Sequence, residues 1–379
     1  MSRSLSSILR VSRFSSNSPS TSTTSPYIDY AFSNEIIKKS LAEIDIYCHG
    51  FIENLNDRLR KVPLLEKKIK SVRYDVRNCF NNPDIRLVPI GSAVNHLLNN
   101  SSDLDLVLLP SNSIKEWKSF MNKFSTSEQF RYDYIKKTYR LLVAKQVGKV
   151  ETPFYRARVP IIRFMSKKRL QVDIQFGNIE PIRSSLFIRT CVEYDERVPL
   201  LIHWLTNKFR EANILGSHRS LFSRYHVNIL VIHFLQAIPY PVLPDVINSS
   251  PWLDNKNDWN NAVKVLTRQG SLYVPNYTET PNEQSVGALA VQLIDYYSQI
   301  DFYRSAINTR GQISQKTEND PAHFEIADEY FNHSTCRVMG APRLLKNLFS
   351  KLKSKAEKAD YQSIFNYYTY ARNVLKINE

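Results

Sequence analysis

Three aspartates stand in this chain where charge is out of place. Asp103 and Asp105 flank a single leucine in SSDLDLVLL (101–109), and Asp173 interrupts LQVDIQF (170–176). Both segments read as strands. Side chains alternate along a strand, so Asp103 and Asp105 share one face while Leu104 and Leu106 take the other. Two carboxylates that close repel, and in a half-buried site they must share a proton or fray the strand. A divalent cation removes the conflict: Mg²⁺ prefers oxygen ligands and keeps positions open for phosphate and water. Two such ions, about 3.5–4 Å apart, clamp the attacking and leaving oxygens of an in-line phosphoryl displacement. Such a site needs a third carboxylate, and Asp173 supplies it from a second strand. A lone strand aspartate is usually an edge charge; Asp-x-Asp with a third acid in the same expected sheet argues for a site.

Gly91-Ser92 adds to this reading. It follows the strand-like IRLVPI (85–90) and precedes AVNHLLNN, which reads as a short helix. Glycine allows close backbone approach, and a serine hydroxyl with helix-start N–H groups suits a phosphate.

The elements that must position these residues follow from pattern. Residues 31–70 read as helices. Strand-like runs then recur at 85–90, 104–109, 139–147, 158–164 and 170–176, with helical segments between some of them. This predicts an α+β region with a mixed sheet. After about 186 the chain reads as mostly helical; Val286, Leu289, Ala290, Leu293 and Tyr297 fall on one helical face. The segment 343–376 is a basic helical pattern, read as a solvated face or as a track for a phosphate backbone. The expected organisation is a tail (1–30), N-terminal helices packed on the helical domain (31–70), an acid-bearing domain (71–185) and a helical domain (186–379).

The chain has 379 residues, with 51 Lys and Arg against 36 Asp and Glu. A formal charge of +15 favours a polyanionic partner. Four scattered cysteines form no CxxC, which argues against a disulfide framework or a zinc knuckle. His333-x-x-Cys336 alone is too few ligands for zinc. The longest apolar run, 227–238, is too short to cross a membrane, and none is expected. Residues 1–26 carry Arg3, Arg10 and Arg13, many Ser and Thr, and no acid. That composition fits a mitochondrial transit peptide or a disordered tail, leaving mitochondrial and cytoplasmic locations open.

Gly91-Ser92, Asp103-x-Asp105 and the distant Asp173 resemble the signature of the DNA-polymerase-β-like nucleotidyltransferases. Within them the chain is similar to the cytoplasmic and mitochondrial poly(A) polymerases and terminal uridylyltransferases. RVPIIRF, QVDIQFGN, DERVPLL, VIHFLQ and FEIADEYFNHSTCRV follow in the family's order. The resemblance implies a two-lobed enzyme with the nucleotide between the lobes. It also implies two Mg²⁺ or Mn²⁺ ions on Asp103, Asp105 and Asp173, ATP or UTP as substrate, RNA 3′ ends as acceptor, and for some relatives an accessory protein. Nucleotide contacts are expected from Gly91, Ser92, Ser184, Arg224, Tyr225 and His333.

Three positions depart from the family. Ser184-Ser185 stands for an Asn-Thr that reaches the ribose. Thr206 stands for a triphosphate lysine, with Lys208 and Arg210 nearby, and Ser223-Arg224-Tyr225 replaces Ser-Ser-Tyr. Arg224 is expected to supply the missing cation, and Tyr225 to stack on the base or to sit in the core. His333 lies near the position where uridine-adding members read uracil. RNA is expected on Arg156, Arg158, Arg163, Lys167, Lys168 and Arg169, or these are solvated surface. The reading is an RNA 3′-terminal nucleotidyltransferase, a poly(A) polymerase before a uridylyltransferase. Its rivals are a degenerate RNA-binding scaffold and a transferase acting on a small molecule or a protein.

Overall fold

The computed structural model describes residues 28–368, apart from 154, 156, 158, 217–218, 255, 257, 269, 273, 275–281, 317–321 and 332. Helices α1 (Ala31–Leu59) and α2 (Val62–Arg77) come first. Strands β1 (Arg86–Ile90) and β2 (Leu104–Leu109), helices α3 (Ile114–Thr126) and α4 (Glu128–Ala144), and strands β3 (Gly148–Val150), β4 (Ile161–Ser166) and β5 (Gln171–Phe176) then build one sheet layer. The strand order is β1-β2-β5-β4-β3, and β2 and β5 are its parallel pair.

Strand alternation sorts this sheet into two faces. Leu104, Leu106, Leu108, Val172, Ile174 and Phe164 face α2, α3 and α4 in one core. Fully burying a leucine-sized side chain contributes about 1.5–3 kcal/mol. A register slip of one residue would throw all of these into the other layer. The same alternation sends Asp105 and Asp173 to the opposite face. Across the sheet, Ile90 pairs with Asp105, Asp105 with Asp173, and Asp173 with Arg163. Asp105, Asp173 and Arg163 therefore form a single row over three strands, with Ile90 continuing it on the fourth.

A helical body covers that second face. It contains α5 (Glu180–Tyr194), α6 (Arg197–Glu211), α7 (Arg224–Ala237), α8 (Val246–Ser249), α9 (Trp259–Leu266) and α10 (Val286–Gln299). Strands β6 (Ser305–Asn308), β7 (Ile313–Gln315) and β8 (Glu325–Ala327) follow, then α11 (Ala341–Glu357) and α12 (Tyr361–Phe365). Ile44, Cys48, Phe51 and Leu55 line one face of α1, which packs on α10. Gly287 permits the approach: a Cβ there would lie 2.8 Å from Ile44 and Asp45. All four cysteines are buried thiols, and among the described residues no helix is long and apolar enough to cross a membrane.

Four expectations need correction. Residues 139–147 are not a strand but largely the end of α4, where Ile135, Thr138 and Leu142 are buried at helical spacing. Residues 93–100 form no α-helix. A 3₁₀ turn at Gly91–Ala93 gives way to a loop in which the Asn95 side chain accepts from Leu97 N–H and Asn99 accepts from Ser101; such short polar side chains compete with helical hydrogen bonds. Of the helices in 31–70, only α1 joins the helical body, since α2 buries Ile69, Val72 and Val76 on the sheet side. The region after 186 also contains a three-stranded sheet, β7-β6-β8, whose strands of three or four residues are too short to show alternation.

Candidate active site

The three aspartates meet at the sheet face. One oxygen of each lies within 4.8 Å of the others. Burial, then Asp103 and Asp173, push the Asp105 carboxyl up from 3.8 to about 7, against the pull of Arg163 and Arg224. The donor set is all carboxylate oxygen, which suits a hard divalent cation. Ligands of one Mg²⁺ at 2.0–2.1 Å stand at most about 4.2 Å apart, so small side-chain rotations close the set. The fit is therefore good.

Gly91 bends the chain beside these acids. Its φ of +63° is a conformation that side chains disfavour, and a Cβ would lie 3.4 Å from Asp105 Oδ2. Its N–H donates to Ser185 Oγ at 2.8 Å, and Ser185 donates to Pro181 O at 2.6 Å, so the turn is tied to the first turn of α5. Ser92 follows on the cleft wall.

The opposite wall comes from α6 and α7. A Ser223 side chain caps α7, accepting from His226 N–H, and His226 bonds back to Ser223 N–H. This capping box fixes Arg224 at the first helical position. From there its guanidinium reaches Ser101 and Ser102, at 3.2 and 3.4 Å, just ahead of Asp103. Arg210 lines the same cleft, and neither arginine has a carboxylate partner among the described residues. Burial and the two arginines push His203 beside them down to about 4, so it is neutral. The cleft measures about 740 Å³.

Other expected residues sort differently. Ser184 lines the cleft but its hydroxyl donates to Glu180 O within α5, 2.9 Å away. Tyr225 reaches the cleft wall and donates its hydroxyl to Asp328; burial, then Asp328, raise its pKa far above the ordinary value. His333 is exposed and stands outside the cleft lining, its ring 6.0 Å from that of Phe331, which does line it. Lys208 turns away from the cleft altogether. It is buried against Glu211, the Ser363 carbonyl and Asn366. Arg163, partly exposed, grips Asp173 with Nε and Nη2 at 2.8 and 2.7 Å. Lys168 pairs with Asp75 at 2.8 Å, and Arg156 and Arg158 lie outside the described residues. Sequence reasoning gave Arg210 no more than proximity and passed over His203, Asn228 and Phe331; the helical spacing 203, 206, 210 on α6 was the available signal.

Residues 49–193 match a family model described as "Poly(A) RNA polymerase, mitochondrial-like, central palm domain". That stretch, less than half of the chain's length, is thus similar to a polymerase palm. Curated relatives include the poly(A) RNA polymerase GLD2 of Homo sapiens, 28% identical over 233 residues, 60% of this chain and 46% of the relative. Another is gld-2 of Caenorhabditis elegans, 27% identical over 237 residues, 59% of this chain and 20% of the relative. The chain thus spans less than half the length of these relatives. Among solved structures, the GLD-2/RNP-8 complex aligns with TM-score 0.63 and 22% identity, over 85% of this chain and 98% of that one. Cid1 with the UTP analogue UMPNPP aligns with TM-score 0.65 and 18% identity, over 86% and 99%. At these identities the likeness is one of fold: the palm and the helical body together adopt the two-lobed nucleotidyltransferase architecture.

Proposed function

We propose that the protein extends RNA 3′ ends without a template, transferring nucleotides from ATP in preference to UTP. One observation carries this: three clustered carboxylates face two arginines without acidic partners across a cleft of about 740 Å³. That is the charge pattern a metal-bound triphosphate needs, acid for the cations and guanidinium for the phosphates.

In this reading Asp103, Asp105 and Asp173 would hold two Mg²⁺ or Mn²⁺ ions. Such ions would supply acidity to the RNA 3′-hydroxyl and counter-charge to the triphosphate and departing pyrophosphate. Arg224 and Arg210 grip the β and γ phosphates, with Gly91 and Ser92 on the near side. The Arg224 bonds to Ser101 and Ser102 join this grip to the loop that carries Asp103. Ser184, whose hydroxyl is already spent within α5, leaves the ribose less held than the usual Asn would. Tyr225 stacks on the base, fixed by Asp328. Catalysis is then mainly positioning and charge stabilisation.

The preference for ATP draws on the poly(A) polymerase character of the palm match and of the GLD2 relatives. A mitochondrial location draws on residues 1–26, which lie outside the described residues; the cytoplasm is the alternative. The relative solved as a GLD-2/RNP-8 complex favours an accessory protein here too. The deciding experiment is extension of oligo(A) and of an unrelated RNA with each of the four NTPs, in Mg²⁺ and in Mn²⁺. Metal-dependent ATP incorporation supports the proposal. Exclusive UTP incorporation moves it to uridylyltransfer, and NTP binding without extension makes the chain a scaffold.

A further inference from the structure

Among the described residues, Asp173 is the one member of the acid trio with a full counter-charge. Arg163 faces it directly across β4 and β5, and Nε and Nη2 take one carboxylate oxygen each. A carboxylate has about four lone-pair sites, and a bidentate guanidinium fills the two that point forward. A cation shared with Asp103 and Asp105 must take what remains or displace the guanidinium. The Arg163 side chain is 39% exposed and lines the cleft, so it has room to withdraw. Asp173 is 12% exposed and has little freedom of its own.

We propose that Arg163 is a positioning residue that holds Asp173 aimed at the cleft and competes with the cation for it. Arg163 thus sets a threshold: it stabilises the trio before metal arrives and weakens the hold on the metal afterwards. The pairing also keeps the third ligand in one orientation. This rests on the nucleotidyl-transfer reading only for its consequence on rate; the competition itself is a property of the metal site.

The test is Mn²⁺ binding to the full chain without NTP or RNA, at pH 8.5, by calorimetry and by loss of the free Mn²⁺ spin-resonance signal. Arg163→Gln removes the charge and keeps one donor; Arg163→Lys keeps the charge and loses the fork. Removing a positive charge a few ångströms from a divalent ion should tighten Mn²⁺ binding about fivefold or more in Arg163→Gln. Arg163→Lys should stay within about twofold of the parent, since the charge is retained. At saturating Mn²⁺, kcat for nucleotide addition should fall about tenfold or more in Arg163→Gln with KM for NTP unchanged, because orientation and not binding is lost. Unchanged or weaker Mn²⁺ binding in a folded Arg163→Gln protein overturns the proposal. So does equal tightening in Arg163→Lys. If the parent binds Mn²⁺ but extends no RNA, the transferase reading fails while the Mn²⁺ comparison still decides the role of Arg163.

Discussion

The two walls of the cleft are built on different principles. The acid wall is a sheet, in which Asp105 and Asp173 share a face because strands have a period of two and the register pairs them, while Asp103 joins them from the residue just ahead of β2. The cationic wall is a pair of helices, in which neighbours in sequence point in unrelated directions. On α6, Lys208 is buried against α12 and its flank while Arg210, two residues on, lines the cleft. A rotation of about 200° separates residues two apart on a helix. Strand chemistry can therefore be read from spacing, whereas helix chemistry depends on which face meets which neighbour.

The sharpest way to break this comparison is at the acid wall. Asp105→Asn should abolish nucleotide addition by about a thousandfold or more, since several kcal/mol of charge stabilisation are lost. The same change should leave the metal-free protein as stable at pH 8 or more so, because one buried like charge is removed. Extension assays and thermal melts check both halves; a merely destabilised protein with retained specific activity refutes the assignment.

The cationic wall tests next. Arg224→Ala and Arg210→Ala should each raise KM for NTP about 10- to 100-fold, the value of a charge-assisted contact. Lys208→Ala should instead leave that KM near the parent value and cost about 1–3 kcal/mol of stability, because the Ser363 carbonyl and Asn366 lose the ammonium that bonds them, while Glu211 keeps Lys355. Steady-state kinetics beside denaturant unfolding separate the two. If Lys208→Ala raises KM as Arg210→Ala does, the division of α6 into two faces is wrong.

A pH dependence follows from Asp105. Its folded pKa, about 7, lies above the ordinary 3.8, so the folded chain keeps a proton that the unfolded chain has lost between those values. This group's contribution to the stability of the metal-free protein therefore falls as pH rises from about 4 to 7. Cation binding needs the ionised form. The rise in melting temperature produced by Mn²⁺ should accordingly be larger at pH 8 than at pH 5.5, as melts at both pH values with and without the ion will show.

The smallest effect is expected at His333. It is exposed and outside the cleft lining, so His333→Ala should change the ATP to UTP incorporation ratio by about twofold at most, in keeping with a surface substitution. A large swing in that ratio would place base reading in the loop after β8.

By itself the sequence determined the strands that carry Asp105 and Asp173 and the turn at Gly91, because those depend on local alternation and on one residue's backbone freedom. It also carried α10 and much of α1, whose apolar stripes are long enough to show their period. It misread 139–147, because an apolar stretch ending an amphipathic helix looks like a strand until its packing partner is known. It also missed β6–β8, whose strands are too short to show a period. Only the tertiary structure decided that Arg163 grips Asp173, that Lys208 faces away while Arg210 faces in, and that Arg224 bridges to the Asp103 loop. Each of these joins residues distant in sequence or chooses among faces of a helix. Burial and electrostatics settle such choices after the chain has packed, and spacing along the chain does not encode them.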